Sequence, residues 1–275
     1  MLLEKRTGAV MTEMLIDWGI DHVYGMPGDS INELIDDLRK QEEKLKFIQV
    51  RHEEVGALAA ASYAKLTGKI GVCMSIAGPG AIHLAIGGQV DSEEIGTDAF
   101  QEVNLERMFD DVAVFNKRAA TESQLPDLLN QAIREAYVNK GVSVLILPDD
   151  LFARKFKNES RLTSQGSYRP QIFPSEGSLK EARSLLDEAK KPVILAGKGV
   201  KGASEELVTF AEHIKAPIIL SLLAKGVIPD QHPLCLGQHG QIGTKPAYKA
   251  MMDADLIILI GTQFPYLSMS VAALW

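Results

Sequence analysis

The stretch FIQVRHEEVGALAAASYAKLTGKIGVCMSI, residues 47–76, decides the fold. An apolar run at 47–50 is followed by the acids Glu53 and Glu54, an alanine-rich segment, and a second apolar run at 70–76. Short apolar runs that end in turn residues predict buried strands, and the alanine-rich segment predicts a helix between them. Repeated strand–helix–strand units are typical of a parallel α/β sheet.

Two glycine-bearing loops flank this stretch. The loop GMPGDS, residues 25–30, follows a short predicted strand at 22–24, and the loop GPG, residues 78–80, follows the strand at 70–76. Both loops are also ordinary turn sequences. In open α/β sheets, loops at the carboxyl ends of parallel strands form the ligand site, and glycine lets the backbone approach a flat cofactor closely. The two loops and Glu53 are therefore predicted to meet at one edge of the sheet.

Helical periodicity predicts further elements in the same half of the chain. Apolar residues spaced three and four apart predict a first helix with a buried stripe at 11–18 and a second helix at 31–38. Ser30 and Glu33 have the spacing of a capping box for the second helix. The remaining predicted elements are a long amphipathic helix at 125–136 and a strand at 142–147.

The chain is predicted to form two domains. The first covers residues 1–154, and a polar, proline-bearing linker at 155–178 separates it from a second α/β unit at 179–275. The predicted elements of the second unit are helices at 179–190 and 203–214 and strands at 193–196, 217–220 and 256–260.

Composition excludes several classes of protein. Hydrophobic residues make up 46% and charged residues 24% of the chain, which favours a packed protein over a disordered one. The net charge of −7 argues against a nucleic-acid binder. Cys73 and Cys235 show no metal-ligand spacing and are expected to be reduced thiols. The apolar runs are too short to be transmembrane segments, and without a signal peptide we expect a cytoplasmic protein.

Glu53 is the residue most suited to catalysis. An acid in the first turn of a helix is favoured by the helix dipole, so an ordinary solvated helix start is the simplest explanation. Two glycine-bearing strand ends beside it favour a functional role instead. A carboxyl group in a pocket of low dielectric constant can exchange a proton near neutral pH. Glu54 is expected to be a structural neighbour.

A second motif, GKGVKG at residues 197–202, has the form G-x-G-x-x-G between a predicted strand and a predicted helix. That context is typical of a nicotinamide-binding Rossmann fingerprint. The next predicted strand ends at Leu220-Ser221, however, without the acidic residue that would hold the ribose. An NAD-dependent dehydrogenase is therefore a weaker interpretation.

Taken in order, these segments resemble the pyruvate oxidase family of thiamine-diphosphate- and FAD-dependent enzymes, with residues 50–72 especially similar. The resemblance runs from the first helix to the segment at 261–265. It implies a parallel-sheet domain that binds the pyrimidine ring of thiamine diphosphate, followed by an incomplete Rossmann-like central domain that binds FAD. It also implies pyruvate as the substrate, Mg²⁺ as a further cofactor and a homo-oligomer.

The resemblance assigns roles to particular residues. Glu53 would hydrogen-bond the aminopyrimidine ring and favour the tautomer that removes the proton from C2 of the thiazolium ring. The remaining positions of the thiamine diphosphate pocket would be Gly25, Pro27, Gly28, Gly78, Pro79, Gly80 and His83. The FAD-binding positions would be Gly197, Gly199, Gly202, Lys225, Gly237, Gly261 and Thr262.

The chain departs from the family pattern in two places. After the match at 81–86 it passes directly to the segment at 87–89, so we expect one helix–strand segment to be missing from the first domain. No segment resembles the third domain, which carries the ligands of Mg²⁺ and the diphosphate, and the sequence therefore predicts no metal ligand. We expect a member of the family that is truncated at its C-terminus, internally deleted after Gly87 and inactive as an isolated chain.

Two alternatives stay open. Acetolactate synthases share the fold and the glutamate, but they usually have a Pro-Gly-Gly loop and a His-Glu-Gln triplet where this chain has PGD at 27–29 and HEE at 52–54. The other alternative is a non-catalytic fragment that acts as a binding partner. The sequence does not specify whether the electron acceptor is oxygen or a quinone.

Overall fold

The computed structural model describes residues 5–78, 86–156, 173–240 and 242–262. The chain divides into two compact units, residues 1–171 and 172–275. Each unit contains a sheet of parallel strands covered by helices. The α/β fold class predicted from the sequence is therefore confirmed. The boundary between the units lies inside the predicted linker at 155–178.

The first unit contains a six-stranded parallel sheet of order β3-β2-β4-β5-β7-β6 and a small antiparallel pair, β1-β8. Its strands are β1 Lys5–Arg6, β2 His22–Gly25, β3 Lys46–Gln49, β4 Val72–Ser75, β5 Ile86–Gln89, β6 Ala113–Arg118, β7 Val142–Pro148 and β8 Lys155–Phe156. Its helices are α1 Thr7–Asp17, α2 Asn32–Lys40, α3 Glu53–Thr67, α4 Leu105–Phe109, α5 Leu125–Asn139 and α6 Asp149–Ala153.

The sheet separates two layers of side chains. On one face, the predicted stripe of α1 packs with α2, α5 and α6 in the main core, where Met11, Met14 and Leu15 are almost fully buried. On the other face, α3 lies very close to the sheet because its inner residues are small. A Cβ atom placed on Gly71 would lie 2.0 Å from the carbonyl oxygen of Ala60, so only glycine allows this approach.

The expected gap in the sheet is absent from the described part of this unit. Residues Ile86–Gln89 form β5, which pairs in parallel with β4 and with β7, so the central position is filled. The sheet therefore has no gap at this position, because four buried residues are enough to bridge the neighbouring ladders. The loss of a segment relative to the family stays a prediction. The expected loss of a helix concerns the connection at 76–85, most of which lies outside the described residues.

The predicted capping box of α2 is also wrong. Ser30 belongs to a short 3-10 turn, and no side chain caps α2 at Ile31. The Ser30 hydroxyl instead accepts a hydrogen bond from the backbone N–H of Ala77 at 2.6 Å. The hydroxyl therefore joins the loop after β2 to the loop after β4, a tertiary contact that a local spacing rule does not include.

The second unit contains a four-stranded parallel sheet of order β11-β10-β9-β12. Its strands are β9 Pro192–Ala196, β10 Ile218–Leu220, β11 Cys235–Gln238 and β12 Leu256–Ile260, and its helices are α7 Glu176–Glu188, α8 Ser204–His213 and α9 Lys245–Asp253. In sequence order within the unit this is 3-2-1-4, the beginning of a Rossmann sheet. Helix α8 covers one face and α9 covers the other.

Both ends of the predicted linker have regular structure. Residues Lys155–Phe156 form β8, and α7 begins at Glu176 with the Ser175 hydroxyl accepting a hydrogen bond from the N–H of Ser178. Residues 157–172 lie outside the described residues. Neither Cys73 nor Cys235 takes part in a disulfide. Within the described ranges, no helix is long and apolar enough to cross a membrane.

Candidate functional site

The candidate site of the first unit lies where the sheet changes direction. Strands β2 and β4 are neighbours, but the chain continues from β2 to the outer strand β3 and from β4 to β5 on the opposite side. In open α/β sheets, ligands bind at the carboxyl ends of two such strands, in the region that we call the crevice. The loops that begin at Gly25 and Ile76 border this crevice.

Close contacts hold these two loops together. A Cβ atom on Gly28 would lie 2.5 Å from Cγ2 of Ile76, and one on Gly25 would lie 2.6 Å from the carbonyl oxygen of Met74. The backbone of Gly28 is extended (φ 177°), so glycine is needed there for the close approach and not for a special dihedral angle. Gly78 differs, because its φ of 99° lies in the region that favours glycine.

The segment after β3 brings Glu53 to the same edge. The Val50 N–H donates to the Gly25 carbonyl at 2.8 Å, which ties the end of β3 to the end of β2. Glu53 is the first residue of α3 and is half-buried. One turn further on, Gly56 packs against the Gly25 backbone, with its added Cβ only 3.8 Å from the Gly25 nitrogen. Glu53 therefore lies beside the crevice.

Glu54 has a different environment from Glu53. Its N–H donates to Nδ1 of His52, the residue that caps α3, at 3.3 Å, and its side chain is exposed. The cap satisfies one of the free N–H groups at the helix start. The adjacent acids thus differ in burial, and only Glu53 has the partial burial expected of a group that meets a ligand.

Ser75 is a further candidate that the sequence analysis missed. Its side chain is fully buried at the end of β4, and its hydroxyl has no hydrogen-bond partner among the described residues. A buried hydroxyl without a partner costs free energy, so this position at the end of β4 calls for an explanation. The sequence signal was weak, because one serine at the end of an apolar run is common.

The loop after β5 also reaches this region. Gln101 has a left-handed backbone (φ 67°), and its Cβ lies 3.3 Å from the position that a Cβ on Gly78 would take. Backbone N–H groups of Gly96 and Asp98 donate to the Glu102 carboxylate at 2.6 and 3.0 Å, and these bonds lower the pKa of Glu102. Phe100 is 89% exposed at the tip of this loop. Sequence reasoning overlooked the loop because its shape depends on these tertiary contacts.

An acidic group lies at the end of β7. Burial, together with the nearby charges of Glu33 and Asp91, raises the pKa of Asp149 to about 6. The neighbouring Asp150 accepts hydrogen bonds from the backbone N–H and the hydroxyl of Ser92, both at 2.8 Å. Within the described ranges, no three His, Cys, Asp or Glu side chains are grouped as a metal-ligand set.

A half-open cavity lies away from the predicted residues. Its volume is about 160 Å³, and its lining includes Gln89, Val103, Glu106 and Arg118. Ligand sites for molecules of cofactor size usually have volumes of roughly 300–1,000 Å³. The cavity is therefore too small for a molecule of cofactor size.

In the second unit, the motif at 197–202 packs against the end of β12. The N–H of Gly197 donates to the Ile260 carbonyl and the N–H of Gly199 donates to the Gly261 carbonyl, both at 2.9 Å. A Cβ on Gly197 would lie 2.3 Å from Cβ of Thr262. Two of the glycine N–H groups are therefore already used. Gly202 (φ 92°) lies before α8 and outside it, unlike the third glycine of a nicotinamide fingerprint, which packs helix against strand.

The other predicted FAD positions are spread over the carboxyl edge of this sheet. Lys225 forms an ion pair with Asp230, and Gly237 has a φ of 92°. A Cβ on Gly237 would lie 2.5 Å from Cγ2 of Thr244, so this position also excludes a side chain. His239 follows β11, and burial lowers its pKa. The structure thus joins the 197–202 motif to Gly261 and Thr262, and holds Gly237 in a separate turn.

Three predicted positions of the thiamine diphosphate pocket, Pro79, Gly80 and His83, lie outside the described residues. Gly25, Gly28, Gly78 and Glu53 all border the crevice or the loop beside it, and Pro27 belongs to the same loop.

Comparison with protein families identifies the class that has this pair of domains. Residues 5–108 match the family described as thiamine pyrophosphate enzyme, N-terminal TPP binding domain, and residues 179–272 match the thiamine pyrophosphate enzyme central domain. The chain belongs to the family of thiamine-pyrophosphate-dependent enzymes.

Curated relatives of the chain are of several kinds. It is 56% identical over 280 residues to YdaP of Bacillus subtilis, which is provisionally named a thiamine pyrophosphate-containing protein. The match covers 96% of this chain and 49% of that protein. It is 37% identical over 282 residues to a pyruvate oxidase of Lactiplantibacillus plantarum, with 96% and 47% covered. It is 34% identical over 282 residues to an acetolactate synthase large subunit of Corynebacterium glutamicum, with 95% and 45% covered. The chain spans about half the length of these relatives.

Proposed function

We propose that the chain supplies the pyrimidine-binding and central domains of a pyruvate oxidase-type enzyme, which decarboxylates pyruvate oxidatively with thiamine diphosphate and FAD. The observation that carries this proposal is the half-buried Glu53 at the sheet's change of direction, beside the close-packed glycines Gly25 and Gly28. The 37% identity to a pyruvate oxidase over 96% of the chain supports the same reaction.

Each part of the crevice would have a distinct role. Thiamine diphosphate, when bound, supplies an electron sink for decarboxylation. Glu53 would bind a ring nitrogen of its pyrimidine and exchange a proton with it, a task suited to a carboxyl group partly removed from water. The loops at 25–28 and 78–80, with His83, would enclose the ring and limit the access of water.

The second unit would bind FAD at the carboxyl edge of its sheet. Gly197, Gly199 and Gly202, together with Gly261 and Thr262, would form the turn that the flavin nucleotide approaches. Lys225 and Gly237 would line the same edge. Mg²⁺ and the diphosphate would need ligands beyond the described residues, because these contain no metal-ligand group. Assembly as a homo-oligomer would fit this division of the site.

An acetolactate synthase-like reaction is the alternative, supported by 34% identity over 95% of the chain. Both reactions begin with decarboxylation of a 2-oxo acid, so the products distinguish them. Condensation of two 2-oxo acids would identify the synthase, and substrate-dependent reduction of an electron acceptor would identify the oxidase. A non-catalytic binding partner is the second alternative, and it predicts neither product.

The proposal is tested with Glu53→Gln. A chimaera is prepared in which the part of the L. plantarum pyruvate oxidase that this chain does not match follows residue 275. Exchange of the C2 proton of bound thiamine diphosphate, followed by NMR in D₂O, is expected to slow by ~10²–10⁴-fold in the variant, the usual contribution of general acid–base catalysis.

Glu54→Gln is the matched control, since this exposed neighbour has the same chemistry and lies one residue away. Its exchange rate is expected to equal that of the unsubstituted chimaera. An unchanged exchange rate in Glu53→Gln would refute the role of Glu53.

A further inference from the structure

Helix α7 differs from α8 and α9 in that none of its residues is buried. All of its residues are exposed except Leu186, which is half-buried. Neither apolar cluster of the second unit contains a residue of α7. The described part of the unit therefore leaves this helix largely uncovered.

The sequence of α7 is nevertheless that of a helix that packs against a partner. Leu179, Ala182, Leu185 and Leu186 are spaced three and four apart, which places them in one stripe along the helix, and the charged residues lie outside this stripe. Leu179 is 55% exposed and Leu185 is 52% exposed. Phe173, just before the helix, adds an aromatic side chain that is 78% exposed. Exposed apolar side chains that are grouped in this way mark an interaction surface.

Both ends of α7 are held in place by hydrogen bonds. At its start, the Ser175 hydroxyl accepts a hydrogen bond from the N–H of Ser178 at 3.1 Å, which caps the helix. Just after its end, the N–H groups of Lys190 and Lys191 donate to the Asp255 carboxylate, both at 2.8 Å. The apolar stripe therefore belongs to an ordered helix that is joined to the rest of its unit.

The charges at the two ends of α7 favour a second copy of the same helix as the partner. Glu176 lies in the first turn, and Lys190 follows the last turn. Two copies packed antiparallel would place each Glu176 beside the Lys190 of the other copy, and their helix dipoles would also be opposed. The midpoint of positions 176 and 190 is next to Ala182, whose small side chain lets two helices approach closely.

We infer that the apolar stripe of α7 is an interface between two copies of this chain, in which two α7 helices pack antiparallel around a two-fold axis. Each contact of such a pair occurs twice, and the assembly is complete with two copies. A helix of 13 residues is about 20 Å long, so the pair would bury less than the roughly 1,200–2,000 Å² of a standard stable interface. We therefore expect a weak dimer that depends on concentration. The inference does not depend on the proposed function.

Ala182→Glu tests the interface. Sedimentation equilibrium of the 275-residue chain over a wide range of concentration measures the dissociation constant of the dimer. The substitution is expected to raise this constant by about tenfold or more, because two like charges would meet near the axis.

Ser184→Glu is the matched control. It adds the same charge to the same helix, but residue 184 is exposed on the side opposite Ala182. Its dissociation constant is expected to equal that of the unsubstituted chain. Circular dichroism and the midpoint of thermal unfolding, measured on both variants, show whether the fold is intact.

A charge exchange tests the antiparallel direction. Glu176→Lys and Lys190→Glu are each expected to raise the dissociation constant by about threefold or more, because each places like charges together at both ends of the pair. An equimolar mixture of the two variants is expected to regain the original affinity, since each new charge then meets its opposite.

The possible outcomes separate the parts of the inference. A chain that stays monomeric at every concentration would overturn it, and so would equal dissociation constants for Ala182→Glu and Ser184→Glu. If Ala182→Glu weakens the dimer but the mixture does not regain affinity, the antiparallel arrangement is wrong.

Discussion

Asp149 lies among several acidic side chains at the carboxyl end of the sheet. It follows β7 directly, and its partial burial among Glu33 and Asp91 makes ionisation unfavourable. The pKa of Asp149 in the folded protein is about 6, compared with 3.8 for an unperturbed aspartate. The folded state therefore binds more protons than the unfolded state between these values, so stability falls as pH rises from about 4 to 6.

Asp149→Asn tests this charge effect. The variant lacks the unfavourable ionisation, so it is expected to be more stable than the unsubstituted chain at pH 7 and to lose the part of the pH dependence that lies between pH 4 and 6. Urea unfolding followed by circular dichroism at pH 4, 5, 6 and 7 measures the difference. A larger gain at pH 4 than at pH 7 would contradict the assignment.

Individual residues also show where sequence reasoning was adequate. The position of Glu53 at a helix start followed from local signals, because a strand, an acid and an alanine-rich segment follow one another in the chain; its catalytic role stays a prediction. Ser30 was misinterpreted because its hydroxyl bonds to Ala77, a residue 47 positions away. Ser75 was missed because burial without a partner depends on three neighbouring elements.

At the scale of elements, continuous apolar strands were predicted well and mixed ones were missed. Strand β12 was predicted with the bounds that the structure gives, since it has five consecutive apolar residues. Strands β6 and β11 were not predicted, because both mix polar and apolar residues without regular alternation and lie at sheet edges. Edge strands are half-exposed, so composition alone marks them weakly.

Strand β12 is itself an edge strand within the described residues, and it pairs there with β9 alone. Its sequence LIILI has no charge, and Leu259 is 42% exposed. An uncharged apolar edge is a template for association between chains. Leu259→Lys is expected to reduce the concentration-dependent light scattering of the isolated chain, with little change in the midpoint of thermal unfolding.

Leu259→Ala is the control for this prediction. It removes apolar surface without adding charge, so it is expected to reduce scattering less than the lysine does. Equal scattering by all three proteins would show that association uses another surface.

At the scale of the whole molecule, the class of protein could be predicted from the order of its motifs, because two α/β units with matched loops are specific to few families. The filled centre of the first sheet could not be predicted from the sequence. A count of residues in the connection suggested a missing strand, whereas the four residues of β5 complete the ladder.

The second unit is expected to bind FAD and not NAD. The strand β10 ends at Ser221 without a ribose-binding acid, and Gly202 lies outside helix α8. The chimaera described above should purify yellow and release flavin on heating, identified by its absorbance spectrum. A colourless protein that binds NAD saturably in calorimetry would favour a dehydrogenase instead.

Residues 1–275 expressed alone are expected to leave pyruvate unconverted. The diphosphate of the cofactor needs a metal and its ligands, and the described residues contain no such group. The assay measures carbon dioxide release with thiamine diphosphate, Mg²⁺, FAD and an artificial electron acceptor, in a preparation shown to lack host pyruvate oxidase. Turnover well above background would mean that the chain holds the cofactor by itself.

The close contact between Gly71 and Ala60 makes the position of the Glu53 carboxylate depend on a residue far from it. Ala60 is seven residues from Glu53, about 10 Å along the helix, yet the absence of a side chain at Gly71 determines how deep the whole helix lies. Because α3 is rigid, any side chain at Gly71 would displace the carboxylate at the far end. Selection for the position of one acid therefore also acts on a glycine that no ligand touches.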